Sequence, residues 1–192
     1  MGRKKNTDQR RSEIIWALYD CLADQGHEKV SVKAIAARAG LPHGVIHYHF
    51  SAKEEIIVAL GEAVSDRYRQ KLADRLVDAR NDRQEISMAL DFIVDELIFN
   101  RSLNRVFFNL IQMAFERKAL HDGISEMFRT YRQQMAAVLA NAGLGKGSRK
   151  RAAALVAMVE GYSLQWMIEP GAFTKKAVRQ ALADVIDNPS GN

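Results

Sequence analysis

The sequence predicts an all-α protein in two parts: a three-helix domain with a helix-turn-helix at residues 1–52, and a larger helical domain at 53–192. Three observations predict it. Apolar residues recur at the 3.6-residue period through long stretches, and no alternating strand pattern interrupts them. Only three prolines, at 42, 170 and 189, occur in 192 residues, which leaves long runs of backbone free to be helical. Two short helical patterns flank a Gly-containing turn of a few residues near Gly40, the spacing of a helix-turn-helix. About nine helices are expected in all.

In chain order, Thr7 is placed to cap a first helix. Its apolar positions Ile14, Ile15, Leu18, Cys21 and Leu22 keep the helical period up to Gly26, a good C-terminal stop. Ser31 caps a second, short helix with Val32, Ile35, Ala36 and Ala39 on one face. Gly40 ends it, suited to the left-handed backbone of a tight turn. Pro42 opens a third helix, where its fixed φ fits and its missing N–H costs nothing. Ser51 and Glu54 then read as the two ends of a capping box. They introduce a long fourth helix through Ile56, Ile57, Leu60, Val64, Tyr68 and Leu72 to about Val77. Helical runs follow at about 84–99, 103–118, 122–142, 148–168 and 174–187, with breaks at NRSLN, HDG, AGLGKGS and EPGAFT. No internal repeat is visible.

A hydrophobic share of 47% with 27% charged residues marks a chain that builds a core rather than a disordered one. No apolar run reaches the roughly 18 residues of a membrane span, and the basic N-terminus lacks a signal peptide's apolar region. The single cysteine, Cys21, excludes an internal disulfide framework and fits a reducing compartment. A cytoplasmic protein without membrane contact is expected.

The net charge of +5 is unevenly spread. Residues 1–50 hold eight Lys/Arg against five Asp/Glu, and four of the five histidines; the rest of the chain holds twenty against eighteen. An electrostatic footprint for nucleic-acid phosphates is concentrated in this way. A basic tail, Arg3-Lys4-Lys5, that merely solubilises the terminus is the plainer reading of part of it.

The stretch AGLPHGVIHYHFSAKE, residues 39–54, sharpens the choice. A helix is held in a core by an apolar stripe, and here only Val45, Ile46 and Phe50 offer one. His43, His47 and Tyr48 are left to face something outside the protein. In a helix-turn-helix the second helix enters the DNA major groove with its N-terminal residues toward the base edges. Gly44 permits close approach of the backbone, and Val45 is suited to a thymine methyl group. The start of the fourth helix, with free N–H groups and Lys53, suits a phosphate. The candidate DNA-binding set is Lys4, Lys5, Ser31, Lys33, His43, Gly44, Val45, His47, Tyr48 and Lys53.

The run from Gly26 through Val30-Ser31-Val32, Ile35-Ala36, Ala39-Gly40-Leu41, Gly44 and Tyr48-His49-Phe50 to Ser51-Ala52-Lys53-Glu54 resembles the DNA-binding domain of the TetR family of transcriptional regulators. Three positions depart from the family pattern: Pro42 and Val45 stand where small hydroxyl residues are usual, and His47 stands where a phosphate-touching Tyr is usual. The resemblance implies a homodimer that binds double-stranded DNA. It implies a C-terminal domain that dimerises and binds a small molecule, and a repressor released from a palindromic operator by that effector, without a cofactor.

Val159-Glu160-Gly161-Tyr162-Ser163-Leu164-Gln165-Trp166 followed by Glu169-Pro170 resembles the penultimate helix of family members, which pairs with its mate in a four-helix seam. The dimer is therefore expected through helices near 148–168 and 174–187, with Leu155, Met158, Tyr162 and Met167 as the seam face and Gly161 permitting close approach. An ordinary core helix is the alternative. Six of seven methionines and seven of eight phenylalanines fall after residue 87, on helices apolar over more than one face, as deeply buried or cavity-lining helices are. The candidate effector-binding residues are Phe92, Phe99, Phe108, Gln112, Phe128, Tyr131, Tyr162 and Trp166, with Asn109 as a further polar group. An apolar or aromatic compound is expected, with a cation held by Glu160 or Glu96 second. A well-filled core is the alternative reading of the same aromatics.

Other function classes fit less of the sequence. His43 and His47 are spaced as a metal-ligand pair, yet no HExxH or completing carboxylate accompanies them. No G-x-S-x-G or P-loop is present, and Cys21 falls on an apolar face, so no enzyme is expected. A helical protein-binding adaptor would explain the helices. It would leave unexplained why the basic bias and the polar third helix coincide.

Overall fold

The computed structural model describes residues 2–187, with side chains from Thr7 onward; Lys4 and Lys5 of the arm therefore lie outside the described side chains. Among the described residues the chain is helical without strands. The helices are α1 (Gly2–Asp24), α2 (Val32–Ala39), α3 (His43–His49), α4 (Lys53–Leu76) and α5 (Asp82–Phe92), then α6 (Arg101–Glu116), α7 (Lys118–Leu139), α8 (Ser148–Ile168) and α9 (Lys175–Asp187). A short 3-10 turn, His27–Lys29, precedes α2, and a wider π-type turn extends α5 over Ile93–Ile98; past Leu139 the backbone leaves the helix at Ala142 and Gly143, the latter at φ 79°.

Three local expectations need correction. Thr7 is not a cap: α1 already begins at Gly2. The HDG sequence at 121–123 does not break a helix, since α7 starts at Lys118 and runs through it. Buried Leu120 anchors that first turn, and Lys118 pairs with Asp122 four residues on, at 3.0 Å. The capping box is shifted by one residue, because α4 starts at Lys53. Glu55, not Glu54, accepts from the Ser51 N–H at 2.9 Å and from its hydroxyl at 3.0 Å. Those two bonds hold the Glu55 carboxyl below its ordinary range.

The chain forms two compact units. The first combines the stretch up to Arg67 with Arg105–Ser125. Ile14, Leu18 and Leu22 of α1, Ile35 of α2, Ile46 of α3, Phe50, and Ile56 and Leu60 of α4 are its wholly buried centre. Val106, Leu110 and Met113 of α6 and Leu120 of α7 complete the same core. This explains why a stretch some forty residues downstream belongs to the unit: its apolar stripe has no other place to be buried.

The second unit combines Tyr68–Asn104 with the chain from Glu126 on. Leu90, Ile93, Val94 and Ile98 pack there with Leu139, Leu155, Val178, Leu182 and Ile186. Asn104, buried, donates its amide to the Leu97 carbonyl at 3.1 Å and the Ile98 carbonyl at 2.8 Å, closing the π-type turn. Arg179 of α9 reaches the Asp91 carboxylate and, at 2.7 Å, the Ser87 hydroxyl of α5.

Three of the four residues of the sequence-predicted seam face of α8 turn to the core within the protomer, while Met167, half-buried, is not part of that cluster. Leu155 is fully buried and Met158 and Tyr162 pack on the core of the second unit. The opposite side carries Ala153, Ala157, Leu164 and Ile168, all exposed, with open space where a Gly161 Cβ would lie.

Candidate nucleic-acid interface

The interface is built from α2, the turn and α3. Ser31, with extended φ/ψ, accepts the Ala34 N–H on its hydroxyl at 3.1 Å and so starts α2. Gly40 ends α2 at φ 65°, where a side chain would be strained, and the Leu41 N–H returns to the Ala36 carbonyl at 3.0 Å. Pro42 is the N-cap of α3 at φ −58°, and its carbonyl accepts from Val45 N–H at 2.9 Å. These devices fix the direction in which α3 leaves the turn.

Within α3 only Ile46 is buried, at 1% exposed, and Phe50 follows at 2%. His43, Gly44, His47 and Tyr48 are exposed, and Val45 and His49 are half-buried. The rings of His43 and His47 lie 4.9 Å apart, edge to face, and those of Tyr48 and His49 lie 5.0 Å apart. Lys33 and Ser31 are exposed at the start of α2, as is Lys29 just before it. Among the described residues no group of three or more metal-ligating side chains accompanies the histidine pair.

The helix is held from behind by Arg11 of α1. Its guanidinium stands 4.1 Å above the Phe50 ring and donates to the His49 carbonyl and, at 3.5 Å, to Glu55. Sequence reasoning missed this residue; the only available signal was a cation one turn from the apolar stripe of α1. Lys53, half-buried, has a partner inside the fold. Its ammonium donates to the Val30 carbonyl, between the 3-10 turn and α2. Burial, with the Arg117 charge near by, pulls it below the ordinary lysine range. Glu54 pairs with Arg117. Lys53 thus braces the start of α4 against the loop before α2, whereas His43, Gly44, His47 and Tyr48 present an open face.

The effector candidates divide between the units. Phe108 and Gln112 belong to the first, Gln112 exposed and Phe108 half-buried. Asn109, also there, is fully engaged. It accepts the His27 N–H at 2.8 Å and donates to the carbonyls of Leu22 at 3.2 Å and Arg105 at 2.8 Å. In the second unit Phe92 is buried with its ring 6.5 Å from Tyr68, and Phe99 meets Trp166 at 5.3 Å. Tyr162 meets Phe173 at 5.1 Å, while Phe128 and Tyr131 are half-buried. Glu96 is paired with Lys71 at 2.7 Å. Glu160 is not offset by a neighbouring cation, and burial raises its carboxyl to about 7.

A capped α2, a glycine turn and a braced helix with an open polar face define a helix-turn-helix DNA-binding protein. Residues 14–60 match the N-terminal domain of bacterial regulatory proteins of the tetR family, and residues 82–188 match the C-terminal domain of BetI-type transcriptional repressors. The chain belongs to the TetR family of transcriptional regulators. It is similar to the nucleoid occlusion factor SlmA of Photobacterium profundum, 29% identical over 83% of this chain and 84% of that protein. The HTH-type regulator PksA of Bacillus subtilis is 25% identical over 98% and 93%. A putative transcriptional regulator of Pseudomonas aeruginosa PAO1 has the same fold, with a TM-score of 0.80 at 22% identity over 94% of this chain and 89% of that one. Like the family, this chain is a dimeric, effector-binding DNA regulator rather than an enzyme. No helix of the described residues is long and apolar enough to cross a membrane.

Proposed function

We propose that this regulator acts in the cytoplasm as a repressor, one α3 from each protomer lying in successive major grooves of a palindromic operator. A small apolar or aromatic effector, bound in the C-terminal unit, releases it. The observation that carries this reading is α3 itself, which buries Ile46 and turns His43, Gly44, His47 and Tyr48 outward. In this reading Tyr48 and His43 face base edges, Val45 a thymine methyl group, and His47, Ser31 and Lys33 the backbone, with Lys4, Lys5 and Lys53 as further candidates for phosphates. The mated surface is the outer side of α8 with α9, where Leu164 and Ile168 stand exposed. The aromatics Phe92, Phe99, Phe128, Tyr131, Tyr162 and Trp166 supply the apolar surroundings an effector of this class needs. Such an effector shifts the operator-bound and released states only by its differential affinity for them.

The test is binding to an operator selected from random duplexes, against a scrambled duplex. Tyr48→Ala and His43→Ala are expected to lose about 1–3 kcal/mol on the operator and little on the scrambled duplex, with melting unchanged. Equal losses on both duplexes would remove these side chains from base readout.

A further inference from the structure

The beginning of α8 is electrostatically out of place. From Met127 to Val159 the sequence holds six Lys/Arg and no Asp or Glu. Four of those cations, Lys146, Arg149, Lys150 and Arg151, surround the start of this helix. Cations there oppose the positive end of the helix dipole, a position where carboxylates are usual. The first turn has no acidic residue, and the N-cap, Gly147 at φ 80°, offers no side chain to the free N–H groups. None of the four cations makes an ion pair among the described residues.

Arg151 supplies the second, independent observation. It is 8% exposed, although a guanidinium stays charged at any pH a protein meets. One terminal nitrogen donates to the Leu144 and Lys146 carbonyls, both at 2.7 Å. Its Nε has no partner and is buried. The guanidinium is next to the N-cap, its nearest atom 3.9 Å from where a Gly147 Cβ would be. A buried guanidinium with one unpartnered nitrogen and no carboxylate partner among the described residues therefore sits beside a helix start whose Ser148 N–H turns back to the Gly145 carbonyl at 3.2 Å and whose next two N–H groups, of Arg149 and Lys150, are left without a cap.

We propose that the α8 N-terminus is a binding site for a phosphate-type oxyanion, the phosphate group of a small molecule. The Arg149 and Lys150 N–H groups and their exposed side chains hold the oxygens, with the Arg151 charge near by. The site shares no residue with α3 and takes its ligand without operator DNA. An anion here completes three things at once: the capping, the dipole and the charge of Arg151.

The experiment titrates inorganic phosphate into the DNA-free full chain at constant ionic strength, with chloride as the reference, and follows backbone amide NMR shifts and melting. Saturable shifts at Arg149 and Lys150, with a rise in melting temperature beyond that of chloride, are expected. Arg149→Ala with Lys150→Ala, both at exposed positions, is expected to weaken phosphate binding about tenfold or more without unfolding the chain. Lys29→Ala with Lys33→Ala should leave it intact. Arg151→Met is a further arm; because it also loses the two carbonyl contacts, the surface pair decides. Phosphate shifts confined to α2 and α3, or an Arg149/Lys150 variant that binds as the parent does, overturn the proposal. So does a short DNA duplex that moves the α8 amides when inorganic phosphate does not, since the site then serves nucleic acid.

Discussion

Lys53 shows how a residue with a surface reading can also have a partner inside the fold. At the start of a helix beside a DNA-reading segment, a lysine is read as a phosphate contact. Here its ammonium is engaged by the Val30 carbonyl. Lys53→Met, which keeps most of the stem, is therefore expected to lower folding stability by about 1 kcal/mol in denaturant titrations. Operator affinity falls with it, but the slope of log affinity against log salt stays unchanged. A slope reduced by about one unit would instead count a lost phosphate contact and return Lys53 to the backbone-gripping set. Position 53 was legible as special; its partner was not. The partner is a main-chain carbonyl twenty-three residues upstream, which no side-chain spacing encodes.

At the scale of elements, periodicity and turn residues did most of the work. The apolar stripes of residues 14–22 and 32–39, the Gly40 turn and the Pro42 start all reappear as α1, α2 and α3, because each is a local backbone requirement. What local signals could not supply was the destination of α6. Asn109 reads as a polar spot on an aromatic wall. In the structure it ties α6 to the end of α1, through Leu22 and His27, while Arg105 donates to the Asp24 carbonyl at 2.8 Å. Asn109→Ala would strand the half-buried His27 N–H and the Leu22 carbonyl, while the Arg105 carbonyl keeps its place in the α6 ladder. We expect it to cost about 1–3 kcal/mol of stability, while Gln112→Ala, one turn on and exposed, stays within about 0.5 kcal/mol. Equal effects in thermal unfolding would show that the clamp contributes nothing beyond packing. The inverted reading of α8 has a similar origin. Both of its sides are apolar or small, so period alone did not say which faces inward.

For the whole molecule, Glu160 gives stability a pH dependence of definite sign. Its carboxyl is raised from 4.5 to about 7 by burial. Between those values the folded protein keeps a proton that the unfolded chain has released, so stability falls as pH rises through this window and levels off above it. The shift corresponds to about 3 kcal/mol. Glu160→Gln is expected to match the parent near pH 4 and to exceed it at pH 8, in urea unfolding at equal protomer concentration. An unchanged gap between pH 5 and pH 8 in the variant would assign the dependence to other groups. The packing of Cys21 carries a consequence of another kind. The thiol lies between α1 and α2, is 2% exposed, and is raised above the ordinary range by desolvation, with Arg38 opposing. As the sole cysteine, it is a built-in clock for opening of the DNA-reading unit. An alkylating reagent can reach it only when those helices part, so the labelling rate under native conditions counts openings, and operator DNA should slow that count.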